Sequence, residues 1–362
     1  MDNSDLSKYL PLEKEAYTSQ LYHRDEIIKV LRSGSQYLGS RAQLDLKQTG
    51  DFYTTVVFDE PVILVVDSEN QVKAYSNVCR HRGAIIEPQE RGNKRKFSCR
   101  YHGWSYNTSG ILAGAPEFQD NHNFKKEDIC LPHYAIIDWA GLIFIQMDKQ
   151  SQKFAEFFDH LDSEHSKAAI SQFHFHSRKT YELKCNWKVF IDNYLDGGLH
   201  INTVHPNLAN VVDYGQYENL LYSCYSLQKA KLQGSEKAAD VANVRKGEYA
   251  YYWWFFPNTM INIYAGTMDI NTVIPVGENN CIVHFDYFFD PEDFSEEQIS
   301  KSIEVGDQIQ WEDMEVCEAV QKGLHSDFYI PGPYSQRRES TMCHFHQMMR
   351  SLVPLETPNT PH

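Results

Sequence analysis

The sequence predicts an α+β protein of two domains: an antiparallel β domain over residues 40–150, then a mixed domain over residues 151–362 built on a central antiparallel sheet. Three observations carry this. The chain has 362 residues, enough for two hydrophobic cores at roughly 150 residues each. From about Ser40 to Gln146 the apolar residues come in short runs (TTVVF, VILVV, QVKAYS, KFSCR, GLIFIQM) punctuated by turn formers such as DSENQ and NTSGI, the texture of short antiparallel strands. Beyond residue 150 longer helical patterns alternate with aromatic and β-branched runs, YYWWFF, MINIY and CIVHFDYFF, as in α+β domains.

In chain order, residues 1–39 read as a helical segment packing on the second domain, with Ile27, Val30 and Leu31 at helical spacing. The β runs follow, and QKFAEFFDHLDSEHSK reads as the helix that opens the second domain. In CNWKVFIDNYLDGGLHINTVHPN, Trp187, Phe190, Ile191 and Tyr194 make an apolar helical stripe, and Asp192, Asp196 and His200 follow at i, i+4 and i+8 on one face. In SEEQISKSIEVGDQIQWEDMEVCEAVQKGL, Ser295 and Gln298 have capping-box spacing and Gly323 is a candidate terminator. The final SLVPLETPNTPH is Pro-rich and expected to be loosely ordered.

The formal net charge is −15, which argues against nucleic acid as a partner, because binding to phosphate is driven by Lys and Arg. No run of about 18 apolar residues occurs, so no membrane span is expected. The start, MDNSDLSKYLPLEKEAY, lacks the apolar centre of a secretory signal, and a cytoplasmic location with reduced thiols is expected. Of the eight cysteines, Cys130, Cys185, Cys224, Cys281, Cys317 and Cys343 lack ligand-like spacing and are expected to be small buried hydrophobes. Neither a Gly-rich dinucleotide fingerprint nor a flavin signature is present.

Two constellations carry chemistry. In the β domain, VCRHRGA and SCRYHGW place Cys79 two residues before His81 and Cys99 three before His102, with seventeen residues between the arms. Two thiolates and two neutral imidazoles suit a [2Fe–2S] cluster whose potential is raised by the imidazoles on one iron. Each arm would give a cysteine to the inner iron and a histidine to the outer one. Gly83 and Gly103 suit tight loops, and Trp104 is placed to shield the cluster. A structural zinc site takes the same donor types, although its usual spacings are wider than Cys-x-His.

In the second domain, His200 and His205 stand five apart, about 140° around a helix, so they converge on one metal only if the helix distorts or ends between them. Gly197-Gly198 and Pro206 favour that. Two imidazoles and one carboxylate make an oxygen-activating Fe(II) centre. Asp313 lies on the centre line of the stripe Val316, Cys317, Val320 and Leu324, whereas Glu312, Glu315 and Glu318 project away from it. A lone Asp on a buried face needs a partner, which a metal or an arginine would supply.

The spacing C-x-H, seventeen residues, C-x-x-H-G-W resembles the Rieske family across the whole β domain. The run N-W-K-V-F-x-D-N-Y-L-D-G-G-x-H-x-x-x-x-H, with the later W-E-D-x-x-x-C-E-x-V-Q-x-G-L, is similar to the catalytic domain of Rieske non-haem iron oxygenase α subunits, in the branch holding choline monooxygenase and other quaternary-ammonium oxygenases. The resemblance implies a Rieske [2Fe–2S] cluster on Cys79, His81, Cys99 and His102, and mononuclear Fe(II) on His200, His205 and Asp313. It implies a head-to-tail homotrimer in which electrons pass from His102 through Asp196 to His200 of a neighbour. Many relatives carry that acid at the position of Gly197, so Asp196 stands one residue displaced; Asn193 is a catalytic candidate beside it. A separate flavin/iron–sulfur reductase would bring electrons from NAD(P)H, and O₂ would be inserted into a small molecule. The aromatics from Tyr249 to Tyr264 either pack a core strand or form a cage for a trimethylammonium group. Hydroxylation or N-demethylation of a quaternary ammonium compound, dioxygenation of an aromatic compound, and an electron-transfer or zinc-stabilised binding protein are the readings to separate.

Overall fold

The computed structural model describes residues 5–118, 120, 122–147 and 154–355; the last seven residues of the Pro-rich tail lie outside them. The chain divides into two compact units, Arg32–Phe154, and Met1–Leu31 together with Ala155–His362.

The first unit holds β1 (Ser35–Ser40), β2 (Asp51–Val57), β3 (Glu60–Val66), β4 (Val72–Ser76), β5 (Arg91–Asn93), β6 (Lys96–Ser98), β7 (Ser105–Asn107), β8 (Leu112–Gly114), β9 (His133–Trp139) and β10 (Leu142–Gln146). Seven of them form an antiparallel sheet in the order β1-β10-β9-β4-β3-β2-β5, and β6-β7-β8 form a smaller one. VILVV explains the layering. Ile63 and Val65 pack with Cys79, Cys99, Trp104 and Tyr106. Val62, Leu64 and Val66 face a second core with Leu44, Leu46, Ile143 and Ile145. A strand with both faces buried reads as a continuous apolar run. Ser35–Ser40 pairs with Leu142–Gln146, so the boundary falls at 31/32 and not at 39/40. The Ser- and Gly-rich SGSQYLGS hid that strand, because its composition is that of a turn.

The second unit is built on β11 (His174–Leu183), β12 (Val212–Leu221), β13 (Tyr225–Leu232), β14 (Tyr249–Phe255), β15 (Thr259–Tyr264), β16 (Thr267–Pro275) and β17 (Cys281–Phe289), antiparallel throughout in the order β11-β17-β16-β15-β14-β13-β12. The α+β class is as expected. A site helix, Trp187–Tyr194, and a long helix, Glu296–Leu324, supply the residues that follow. The capping box forms, with Gln298 N–H donating to Ser295 Oγ at 3.4 Å and Ser295 N–H to Gln298 Oε1 at 3.1 Å. The helix passes through Gly323 and stops after Leu324, so Gly323 is not its terminator. The site helix is shorter than the i, i+4, i+8 pattern suggests and ends at Tyr194.

The N-terminal segment joins this unit through a buried charge pair. Glu26 and Lys188 side chains are both 0% exposed and bonded to each other. Glu26 also accepts from Trp187 Nε1 at 2.8 Å and lies 2.9 Å from His23 Nδ1. Burial pushes the Lys188 ammonium down in pKa, and the Glu26 charge works against that. No helix among the described residues is long and apolar enough to cross a membrane.

Candidate metal centres

In the first unit the two Cys/His arms fold alike. Cys79 N–H donates to Ala84 O and Gly83 N–H returns to Cys79 O, at 2.8 and 2.9 Å. Cys99 N–H donates to Trp104 O and Gly103 N–H to Cys99 O, at 2.7 and 3.0 Å. Gly83 and Gly103 share φ +73°, a left-handed turn that costs an L side chain energy. Both thiols are buried in the core, while the His81 and His102 rings sit side by side, centroids 4.6 Å apart. Trp104 stacks on His81 at 4.9 Å, and His81 Nδ1 is buried without a hydrogen-bond partner, as expected of a nitrogen kept for a metal. The donors do not gather round a single ion. Only His200, His205 and Asp313 bring three such ligand atoms within 4.8 Å of one another among the described residues. One tetrahedral zinc needs its donors that close; a two-iron cluster does not.

In the second unit the chain after the site helix reverses through Gly197 and Gly198, at φ +69° and +74°. A Cβ on Gly197 would lie 2.0 Å from Arg338 O, so nothing larger fits. Asp196 closes the turn, accepting from Leu199 N–H at 3.0 Å and His200 N–H at 2.9 Å, and its Oδ2 lies 2.6 Å from His200 Nδ1. A four-residue helix, Ile201–Val204, then breaks at His205 (φ −116°, ψ 72°). That break lets two imidazoles five residues apart face the same point. Asp313, buried on the long helix, accepts from Asn193 Nδ2 at 2.7 Å and lies 3.0 Å from His205 Nε2 and 3.7 Å from His200 Nε2. Asp313 Oδ1 has no arginine partner among the described residues within 4.0 Å.

His205 has a further carboxylate partner. Its Nδ1 lies 2.7 Å from Glu312 Oε2, and Gln308 Nε2 donates to Glu312 Oε1 at 2.8 Å. Burial pulls the His205 pKa down, but hydrogen bonds and charge from Asp313 and Glu312 outweigh it and hold the imidazole above its ordinary range. Each histidine thus has its Nδ1 on a carboxylate and its Nε2 turned inward, the arrangement that fixes ring orientation in metal-ligating histidines. The site fits a mononuclear ion. Beside it opens a cavity of about 120 Å³ lined by tyrosines 194, 217, 252, 264 and 287 together with Arg245 and Asp269.

Residues 36–134 match the Rieske [2Fe–2S] domain and residues 170–355 the ring-hydroxylating α subunit catalytic domain. Chloroplastic choline monooxygenase of Arabidopsis thaliana is 33% identical across 97% of this chain and 88% of its own length. The chain belongs to the Rieske non-haem iron oxygenase α subunits. The oxygenase subunit of carnitine monooxygenase from Acinetobacter pittii is 28% identical to this oxygenase, over 79% of the chain and 78% of that protein. The fold is also that of the quaternary ammonium Rieske monooxygenase CntA, with a TM-score of 0.81 at 23% identity over 97% of both chains. As a Rieske oxygenase the chain binds a [2Fe–2S] cluster and mononuclear iron.

Several expectations need correction. Glu312 does not project clear of the site: a helical wheel gives the direction of Cβ, and glutamate's long side chain curls back to His205. Glu318 is engaged too, accepting from Lys184 N–H at 3.1 Å. Within the apolar stripe, Val320 is 45% exposed. Cys130 is exposed, unlike the other five cysteines without ligand spacing. The Tyr249–Tyr264 run divides between core and cavity lining. Trp253, Trp254 and Phe255 are core residues, whereas Tyr252 and Tyr264 reach the cavity. Sequence reasoning missed Tyr106, whose hydroxyl lies 3.4 Å from Cys79 Sγ and accepts from Arg80 N–H at 3.1 Å. Its place two residues after Trp104 was the available signal.

Proposed function

We propose that this oxygenase hydroxylates or N-demethylates a small quaternary ammonium compound. Cys79, His81, Cys99 and His102 would hold the cluster; His200, His205 and Asp313 would hold Fe(II). A two-imidazole, two-thiolate cluster supplies single electrons at a raised potential, and Fe(II) on two histidines and a carboxylate supplies oxygen-activating chemistry. Electrons come from NAD(P)H through a separate flavin/iron–sulfur reductase. They cross between copies of a homotrimer by way of Asp196, which holds His200 Nδ1–H. Asn193 positions Asp313 through its amide.

The observation that carries the substrate class is the tyrosine-lined cavity beside the metal site. Tyr217, Tyr252 and Tyr264 line it, and aromatic ring faces attract a trimethylammonium group by about 0.5–2 kcal/mol each. The relatives named choline and carnitine monooxygenase support the same class. An aromatic hydrocarbon is less suited, because Arg245 and Asp269 would be left desolvated against an apolar ligand.

The test is anaerobic reconstitution with iron and sulfide, metal analysis, and turnover with a reductase and NADH on trimethylammonium compounds. About three irons per chain and substrate-dependent O₂ uptake with formaldehyde or a hydroxylated product are expected. Zinc in place of iron, or turnover restricted to aromatic hydrocarbons, would sink the reading.

A further inference from the structure

We propose that the substrate carries a carboxylate as well as its ammonium group, and that Arg245 with Gln310 receives it. The inference rests on the quaternary-ammonium reading and narrows it to betaine-type zwitterions.

Arg245 follows the short helix Ala239–Ala242, whose Val241 carbonyl accepts its backbone N–H at 2.8 Å. Its side chain lines the cavity and the residue is only 6% exposed. The guanidinium donates through Nη1 to Ser302 Oγ at 2.8 Å and sits over the Tyr264 ring at 5.0 Å. No carboxylate among the described residues lies within 4.0 Å of it. A buried cation normally has an anion in contact, because desolvation without one is expensive. Asp269 also lines the cavity but stays beyond that distance, its carboxylate taken by Asn262 Nδ2 at 2.7 Å. Burial pushes the Asp269 carboxyl up despite the charge of Arg245, which agrees with the two not being closely paired.

Gln310 gives a second, independent sign. It enters the same cavity from the long helix, is 1% exposed, and its Nε2 has no hydrogen-bond partner. Buried amide donors are rarely left unsatisfied. A guanidinium without a carboxylate partner and an unused amide lining one small cavity are the donors a carboxylate recruits, since arginine's planar fork matches its two oxygens. Choline, with a hydroxyl in place of the carboxylate, would leave the Arg245 charge unanswered.

The experiment is calorimetric binding to the reconstituted full chain, anaerobic, with four trimethylammonium probes: glycine betaine, γ-butyrobetaine, L-carnitine and choline. At least one carboxylate probe should bind tenfold or more tighter than choline, and R245M should erase that advantage while leaving choline's affinity within threefold. Q310L, which removes one donor at similar volume, should weaken the same carboxylate probe several-fold and choline not at all. Q310L carries the test if R245M does not fold, as judged by its cluster spectrum and circular dichroism. Choline binding as tightly as every carboxylate probe, or both variants preserving the wild-type ranking, would overturn the proposal alone. If no trimethylammonium probe binds, the parent reading and this one fall together.

Discussion

Glu312→Ala should weaken metal binding at the His200/His205/Asp313 site by about 10- to 100-fold while leaving the iron–sulfur spectrum unchanged. The Glu312 contact to His205 Nδ1 at 2.7 Å is short and charge-assisted, a class worth about 1.5–3 kcal/mol, and a tenfold change in affinity is about 1.4 kcal/mol. The contact does two things. It keeps the proton on Nδ1 so that Nε2 has its lone pair free, and it holds the ring plane toward Asp313. His205 has no other hydrogen-bond acceptor at Nδ1 among the described residues. Glu312→Gln keeps an acceptor oxygen without the charge and should fall between wild type and alanine. The assay is anaerobic titration of the cluster-loaded, iron-stripped chain with Co(II), followed by its visible ligand-field bands, with the cluster's absorption as the internal control. Asp313→Ala, which removes the proposed carboxylate ligand outright, sets the floor. If Glu312→Ala binds Co(II) as wild type does, the carboxylate does not position His205 for the metal.

Asp196→Asn should keep both metal contents and a reducible cluster, yet in a single turnover cluster re-oxidation should run without matching product; wild-type coupling would point to another bridge, with Asp192 next to test. His165 is held neutral, its pKa brought from 6.5 to about 4, first by burial and then by the charges of Lys229 and His160. Because its folded pKa is the lower one, nothing is lost above pH 6.5. As pH falls toward 4 the unfolded chain gains a proton that the fold refuses, costing about 2 kcal/mol at pH 5. His165→Gln should flatten that acid limb in urea unfolding, and parallel wild-type and variant profiles would refute it. Glu26→Gln leaves Lys188 buried without its counter-charge and should cost about 3 kcal/mol or more, seen as a lowered melting temperature; a shift of less than a degree would show that the pair contributes nothing.

What the sequence revealed depended on how local each feature is. The Cys79/His81 and Cys99/His102 arms are closed loops of a few residues, so their spacing reports their geometry directly. Asp313 was legible because the long helix keeps one period from Ser295 onward, and a charge on a buried stripe stands out. The break at His205 was legible from the glycine pair and Pro206. Glu312 was not, since a wheel projection ignores side-chain length. The cavity was not legible either, because it is assembled by strand order. Tyr252 and Tyr264 sit on β14 and β15 and Asp269 on β16, while Arg245 and Gln310 arrive from a turn and a distant helix. β1 was masked by composition, and only its pairing with β10 makes it a strand.

The Glu26–Lys188 contact spans 162 positions in the chain, with the whole first unit between its ends. On the ribosome, the segment bearing Glu26 therefore emerges well before Lys188, its partner 162 positions later. Domains generally fold as units in order of synthesis, so residues 32–154 can close around their cysteines while the helix bearing Glu26 still lacks Lys188. A carboxylate destined for complete burial spends that interval without its counter-charge. The two ends of the second unit can meet only after the first has been synthesised between them.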